Sequence, residues 1–76
     1  MMAYKKMKPQ FVVCVHNEDC EDLQLRKLYQ VLWDETAAKD DYIRVVDESG
    51  EDYLYPADYF LPIELPKDVE KALMAA

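Results

Sequence analysis

Apolar positions along the 76-residue chain switch between an unbroken run, strict alternation and a helical repeat, and each switch marks an element. Phe11-Val12-Val13-Cys14-Val15 is apolar on both faces and β-branched, which predicts a strand with little exposure. Leu23 and Leu25 alternate with Gln24 and Arg26. After a bend near Arg26-Lys27, Tyr29, Val31 and Trp33 alternate with Gln30 and Leu32, giving a strand with one apolar face. Asp34 to Asp41 has a capping aspartate, two alanines and a lysine near its end, enough for one helical turn within a loop. Tyr42 to Val46 is the next strand, and Asp47-Glu48-Ser49-Gly50 follows as a tight turn. It ends on the only glycine of the chain, at the position where a left-handed residue closes a hairpin. Glu51 to Tyr55 returns antiparallel until Pro56 removes a backbone donor. Pro56 to Tyr59 then reads as a short 3₁₀ turn, and Phe60 to Ile63 as a last edge strand. Pro66 opens a helix in which Val69, Ala72, Leu73 and Ala76 recur at i, i+3, i+4 and i+7, with Lys67, Asp68, Glu70 and Lys71 opposite.

The pattern predicts a mainly β fold, a small, bent, five-stranded antiparallel barrel with a short C-terminal helix docked on it. Residues 1–10 form a lead-in, 11–65 the barrel and 66–76 the helix. Val13, Val15, Leu25, Val31, Val45, Tyr55 and Phe60 are the expected core.

Composition narrows the function classes. With 51% hydrophobic and 33% charged residues, the chain fits one small domain. Such a domain buries only ~60% of its unfolded surface, leaving little room for a multi-residue catalytic pocket. The longest apolar run falls far short of the ~20 residues of a membrane helix, and Met-Met-Ala-Tyr-Lys-Lys has no apolar stretch behind its lysines, so a cytoplasmic protein is expected. A net charge of −7 opposes both nucleic acid and anionic lipid as partners. The charge is segmented. Lys5, Lys6 and Lys8 lie in residues 1–10 without an acid, whereas His16 to Asp22 carries Glu18, Asp19, Glu21 and Asp22 and reads as a solvated loop.

Residues capable of chemistry are few. Cys14 and His16 share one strand face, but with Cys20 they make a spacing that matches no zinc pattern, so no metal is expected. Cys14 and Cys20 are expected as free thiols, the first behaving as a small hydrophobe. Asp47, Glu48, Glu51 and Asp52 flank a turn without the ligand order of a calcium loop and read as a solvated hairpin. One His, one Ser (Ser49), one Thr (Thr36) and no glycine-rich loop predict no enzyme and no cofactor.

Leu23-Gln24-Leu25-Arg26-Lys27, the hairpin around Gly50 and Tyr55-Pro56-Ala57-Asp58-Tyr59-Phe60 together resemble an SH3 domain over roughly Phe11 to Ile63. The segment from Arg44 to Pro56 also resembles a family of short bacterial proteins with no assigned function. The SH3 resemblance implies a ligand groove at Tyr42, Leu54, Pro56 and Tyr59. It also implies an acidic loop, Glu18, Asp19, Glu21 and Asp22, that selects a basic residue in a proline-rich ligand. Three features depart from that family. Val13-Cys14-Val15-His16-Asn17 supplies no groove tyrosine, and Tyr42-Ile43 stands where paired tryptophans would, while the turn after Leu25 lacks its glycine.

A protein-interaction module that binds a peptide or protein partner is therefore expected; the alternative is an acidic regulator or decoy that covers a basic surface of a partner by charge. The same aromatic surface could instead seal the core under the C-terminal helix, or form a homodimer contact together with Leu61 to Leu65, Leu73 and Met74.

Overall fold

The computed structural model describes residues 10–75. The basic segment up to Pro9, and Ala76 of the helical repeat, lie outside the described residues. Five strands form one antiparallel sheet: β1 (Phe11–Cys14), β2 (Leu28–Val31), β3 (Tyr42–Val46), β4 (Asp52–Pro56) and β5 (Phe60–Ile63). Their order is β4-β3-β2-β1-β5, so β5 returns to pair with β1 after the meander of β2, β3 and β4. A five-residue helix, α1 (Glu35–Lys39), bridges β2 and β3, and a 3₁₀ turn (Ala57–Tyr59) joins β4 to β5. The last element is α2 (Lys67–Ala75).

Local sequence explains each boundary. The Asp34 carboxylate caps α1 by accepting from the Ala37 N–H at 3.0 Å. Its other oxygen accepts from Arg44 Nη2 at 3.1 Å, so the cap is also tied to β3. Gly50 has φ of 86°, and its N–H donates to the Asp47 carbonyl at 3.0 Å, closing the β3–β4 turn. At the β4 end, Pro56 sits opposite Tyr42, where its missing donor costs no ladder bond.

The core lies on one face of the sheet. Val12, Cys14, Tyr29, Val31, Ile43, Val45 and Phe60 are buried there with Leu23, and Trp33, Tyr55, Ala57 and Tyr59 pack at its margin. Expected core positions Val31, Val45 and Phe60 are buried, but others are corrected. In β1 the phase is shifted by one residue. Val12 and Cys14 point into the core and Phe11 is buried on the opposite face, leaving Val13 and Val15 half-buried. A run apolar on both faces carries no alternation to fix its phase; pairing with β2 and β5 does so, setting Val12 opposite Tyr29 and Pro62.

Leu25 is also corrected. It is 48% exposed, whereas Leu23 is 2% exposed and belongs to the core. The Leu23–Leu25 stretch is no strand but a turn that reverses into β2. Arg26 takes the left-handed conformation there, with φ of 64°, which an L residue adopts at a cost of roughly 1–2 kcal/mol. Two bonds hold it: Arg26 N–H donates to the Cys14 carbonyl at 2.7 Å, and Cys14 N–H donates to the Lys27 carbonyl at 2.9 Å. Tyr55, the remaining expected core residue, is half-buried, with its ring edge-on to Phe60 at 6.2 Å and its hydroxyl engaged in the hairpin. Helix α2 buries none of its residues. Leu73 lies beside Phe11, Leu28, Gln30 and Val46 on the outer face of the sheet, and Val69 and Met74 stay exposed. No helix among the described residues is long and apolar enough to cross a membrane.

Two predictions follow from this packing. Leu23→Ala should lower the unfolding free energy by about 2–5 kcal/mol, and Leu25→Ala should change it by no more than about 0.5 kcal/mol, both read by urea denaturation. Arg26→Gly relieves the left-handed strain at some cost in unfolded-state entropy and should raise stability by up to about 1 kcal/mol in the same assay.

Candidate functional site

Three chain reversals gather the candidate residues: the loop between β1 and β2, the α1–β3 junction, and the 3₁₀ turn between β4 and β5. Asp41 takes a left-handed conformation with φ of 61°, and its carbonyl accepts from the Ala57 N–H at 2.8 Å. That bond fixes the α1–β3 junction against the 3₁₀ turn. Between them opens a groove of about 580 Å³, lined by Tyr42, Pro56, Phe60 and Pro62, with Asp40, Asp41 and Asp58 around them. Tyr42 is 44% exposed, so its ring presents a face to solvent.

The expected groove residues do not all meet there. Tyr42 and Pro56 are cross-strand partners and line the groove together. Leu54 shares their sheet face one pair further along, opposite Arg44, and is 45% exposed, but it lies outside the groove. Tyr59 turns toward the β1–β2 loop, its ring 6.3 Å from that of His16. Partial burial pushes its phenol above the ordinary tyrosine range, and Cys20, Glu18, Asp58 and Asp19 add to that shift. The surface thus divides into an apolar groove at Tyr42 and an aromatic patch at Tyr59, with Asp58 at the border of both.

All four loop acids, Glu18, Asp19, Glu21 and Asp22, are exposed. Their loop is nevertheless ordered by backbone bonds. Cys20 N–H donates to the Asn17 carbonyl at 3.0 Å, the Asn17 side-chain amide donates to the Leu23 carbonyl at 3.0 Å, and Leu23 anchors the loop in the core. The Asp22 carbonyl accepts from the Glu48 N–H at 2.9 Å, which ties the loop to the tip of the β3–β4 hairpin. Tyr29 makes the second tie: its hydroxyl accepts from the Gln24 N–H at 2.7 Å and donates to Glu48 Oε2 at 2.7 Å. Lys27 Nζ reaches the same carboxylate oxygen at 2.6 Å.

Of the four hairpin acids, Glu48, Glu51 and Asp52 are exposed, as the sequence suggests, but Asp47 is buried. One carboxylate oxygen accepts from Ser49 N–H at 2.9 Å and from Ser49 Oγ at 2.5 Å, and the other accepts from the Tyr55 hydroxyl at 2.6 Å. Burial works to raise this carboxyl, but the bonds from Ser49 and Tyr55 outweigh it and hold the group below the ordinary range. Glu48 is likewise lowered, by Lys27 first and then by Tyr29. The phenols respond in the opposite sense: burial raises Tyr29 and Tyr55, and the carboxylates of Glu48 and Asp47 push them further up.

Cys14 and Cys20 are free thiols, both raised by burial. Cys14 Sγ donates to the His16 carbonyl at 3.1 Å. Among the described residues no three His, Cys, Asp or Glu side chains converge as a metal site requires. The sequence pattern missed Asp40, Asp41, Asp58, Phe60 and Pro62 as groove residues. The available signal was the adjacent acid pair placed directly before Tyr42. Compared with protein-family models, curated proteins and solved structures, the chain matches none.

Because the folded-state carboxyls of Asp47 and Glu48 sit below their unfolded values, their contribution is complete above the ordinary carboxylate range and is lost as the pH falls below about 4. The urea midpoint should therefore be flat near neutrality and drop in acid, with a shallower drop in Asp47→Asn. The raised phenols of Tyr29 and Tyr55 contribute below about pH 10 and lose that contribution above it. In a phenolate difference titration these two tyrosines should ionise only together with unfolding.

Proposed function

We propose that this chain is a non-catalytic protein-interaction module with an SH3-like barrel, and that it receives an extended, basic segment of a partner protein. The observation that carries the proposal is the groove at Tyr42, Pro56, Phe60 and Pro62 with three carboxylates, Asp40, Asp41 and Asp58, at its sides. Aromatic and proline surfaces stack against the flat flanks of an extended peptide, and the surrounding acids select cationic side chains. Strand order, the 3₁₀ turn before β5 and the long acidic loop after β1 support the SH3-like reading of the fold. The exposed loop acids beside Tyr59 give a longer ligand a second cationic contact.

Binding should be measured by calorimetry with a lysine- and proline-containing peptide. Tyr42→Ala should weaken it about tenfold or more, as loss of an aromatic anchor does, while shifting stability by no more than about 0.5 kcal/mol. Affinity that vanishes with added salt and ignores Tyr42→Ala would mean that charge alone holds the partner, as in an acidic decoy, and would overturn the groove proposal.

A further inference from the structure

The sheet has two edges, and their backbones differ. At β5, the bond from Val15 N–H to the Tyr59 carbonyl at 2.8 Å sets the ladder phase, so Leu61 and Ile63 turn their backbone groups toward β1 and Phe60 and Pro62 turn theirs away. Phe60 N–H is bonded to the Ala57 carbonyl, and Pro62 has no N–H. Within β5 the outer edge is thus without a free strand donor, which makes it the poorer of the two edges for strand pairing.

At β4 the phase gives the opposite result. Asp47 N–H donates to the Glu51 carbonyl at 3.1 Å and Ala57 N–H to the Asp41 carbonyl at 2.8 Å, which brackets the β3–β4 ladder at both ends. Hydrogen-bonded pairs alternate along such a ladder, so Tyr53 and Tyr55 bond to β3 while Asp52 and Leu54 direct both N–H and C=O outward. Pro56 adds an outward carbonyl. Among the described residues no strand lies outside β4. The edge carries no lysine, and it exposes a large side chain on each face, Tyr53 at 49% and Leu54 at 45%. An edge with open donors and apolar flanks on both faces is a template for another strand.

We propose that the β4 edge takes an extended, basic segment of a partner protein as an added strand, independently of the groove at Tyr42. Charge identifies the occupant. Glu51 precedes the strand and Asp52 opens it, and Arg44 of β3, which faces Leu54, is already engaged by Asp34 and Asp52. A cationic side chain laid along this edge meets the Glu51 carboxylate, which no cation among the described residues engages, and the Tyr53 ring, and its apolar neighbours cover Leu54. A second copy does not fit as well. Antiparallel self-pairing centred on Leu54 sets Glu51 and Asp52 beside Ala57 and Pro56 of the other copy, next to its Asp58, with no cation brought in and a charge of −7 on each chain.

The test is an amide-resolved NMR titration with a synthetic hexapeptide of alternating lysine and valine. The peptide should slow exchange of the Asp52 and Leu54 amides about tenfold or more, with Tyr53 and Tyr55 unaffected because their N–H groups already face β3. Leu54→Pro removes one outward donor and leaves the β3–β4 ladder intact, so it should weaken binding about tenfold. Leu54→Lys keeps the donor and should weaken binding through like charge, which preserves the test if the proline variant does not fold. Unchanged exchange at Asp52 and Leu54 would overturn the proposal. So would perturbation confined to residues 40–42 and 56–62, an outcome that places the peptide in the groove and leaves the proposed function standing. Slowed exchange without peptide, at a doubled molecular mass, would assign the edge to a second copy and overturn it as well.

Discussion

Asp47 and Glu48 hold together parts of the chain that have no other reason to meet. A carboxylate removed from water is tolerated only when its oxygens are supplied with donors, and Asp47 receives them from within its own hairpin, from Ser49 in the turn and Tyr55 on β4. Its neighbour Glu48 faces the other way and takes the Tyr29 hydroxyl, which in turn takes the Gln24 N–H of the acidic loop. The hairpin tip, the start of β2 and the end of the loop thus form one connected polar network. Leu23 anchors the loop in the small apolar cluster, and the polar network sets where the end of the loop lies against the hairpin tip.

The proposed binding depends on that placement. The β1–β2 loop holds four exposed carboxylates, and the ties to Glu48 add to the anchoring by Leu23 and Asn17 in holding them near Tyr59. The α1–β3 junction is fixed separately, through the Asp41 carbonyl and the Asp34 cap. Both surfaces that carry the proposed binding therefore rest on ordered backbone, which lowers the ordering cost a ligand must offset. The acidic residues are consistent in sign across groove, loop and β4 edge, and a basic partner meets a favourable field wherever it first lands.

Much of the architecture was legible in the sequence because the signals were local. Alternation found β2, the lone glycine found the hairpin, Pro56 found the end of β4, and Asp34 found the α1 cap. Failures came where a local signal was absent or ambiguous. The uniform run Phe11 to Val15 has no intrinsic phase, so pairing with two neighbours decided which side chains enter the core. Leu23-Gln24-Leu25 alternates as a strand does, yet Arg26 in a left-handed conformation turns the chain and only Leu23 is buried. Asp47 looks like any turn aspartate, and its burial depends on Tyr55, eight residues away. The groove acids Asp40 and Asp41 are adjacent, but Asp58 comes from the 3₁₀ turn, and only the folded chain brings it to them.

The most direct test of this polar network is hydrogen exchange on Tyr29→Phe, which deletes one oxygen and keeps the ring in the core. If the hydroxyl couples loop to hairpin, protection should fall together at the Gln24 amide, which it accepts from, and at the Glu48 amide, which donates to Asp22 and never touches Tyr29. Protection in the β1–β5 ladder should hold. A fall at Gln24 alone, with Glu48 unchanged, would show that loop and hairpin are ordered separately and would contradict the account.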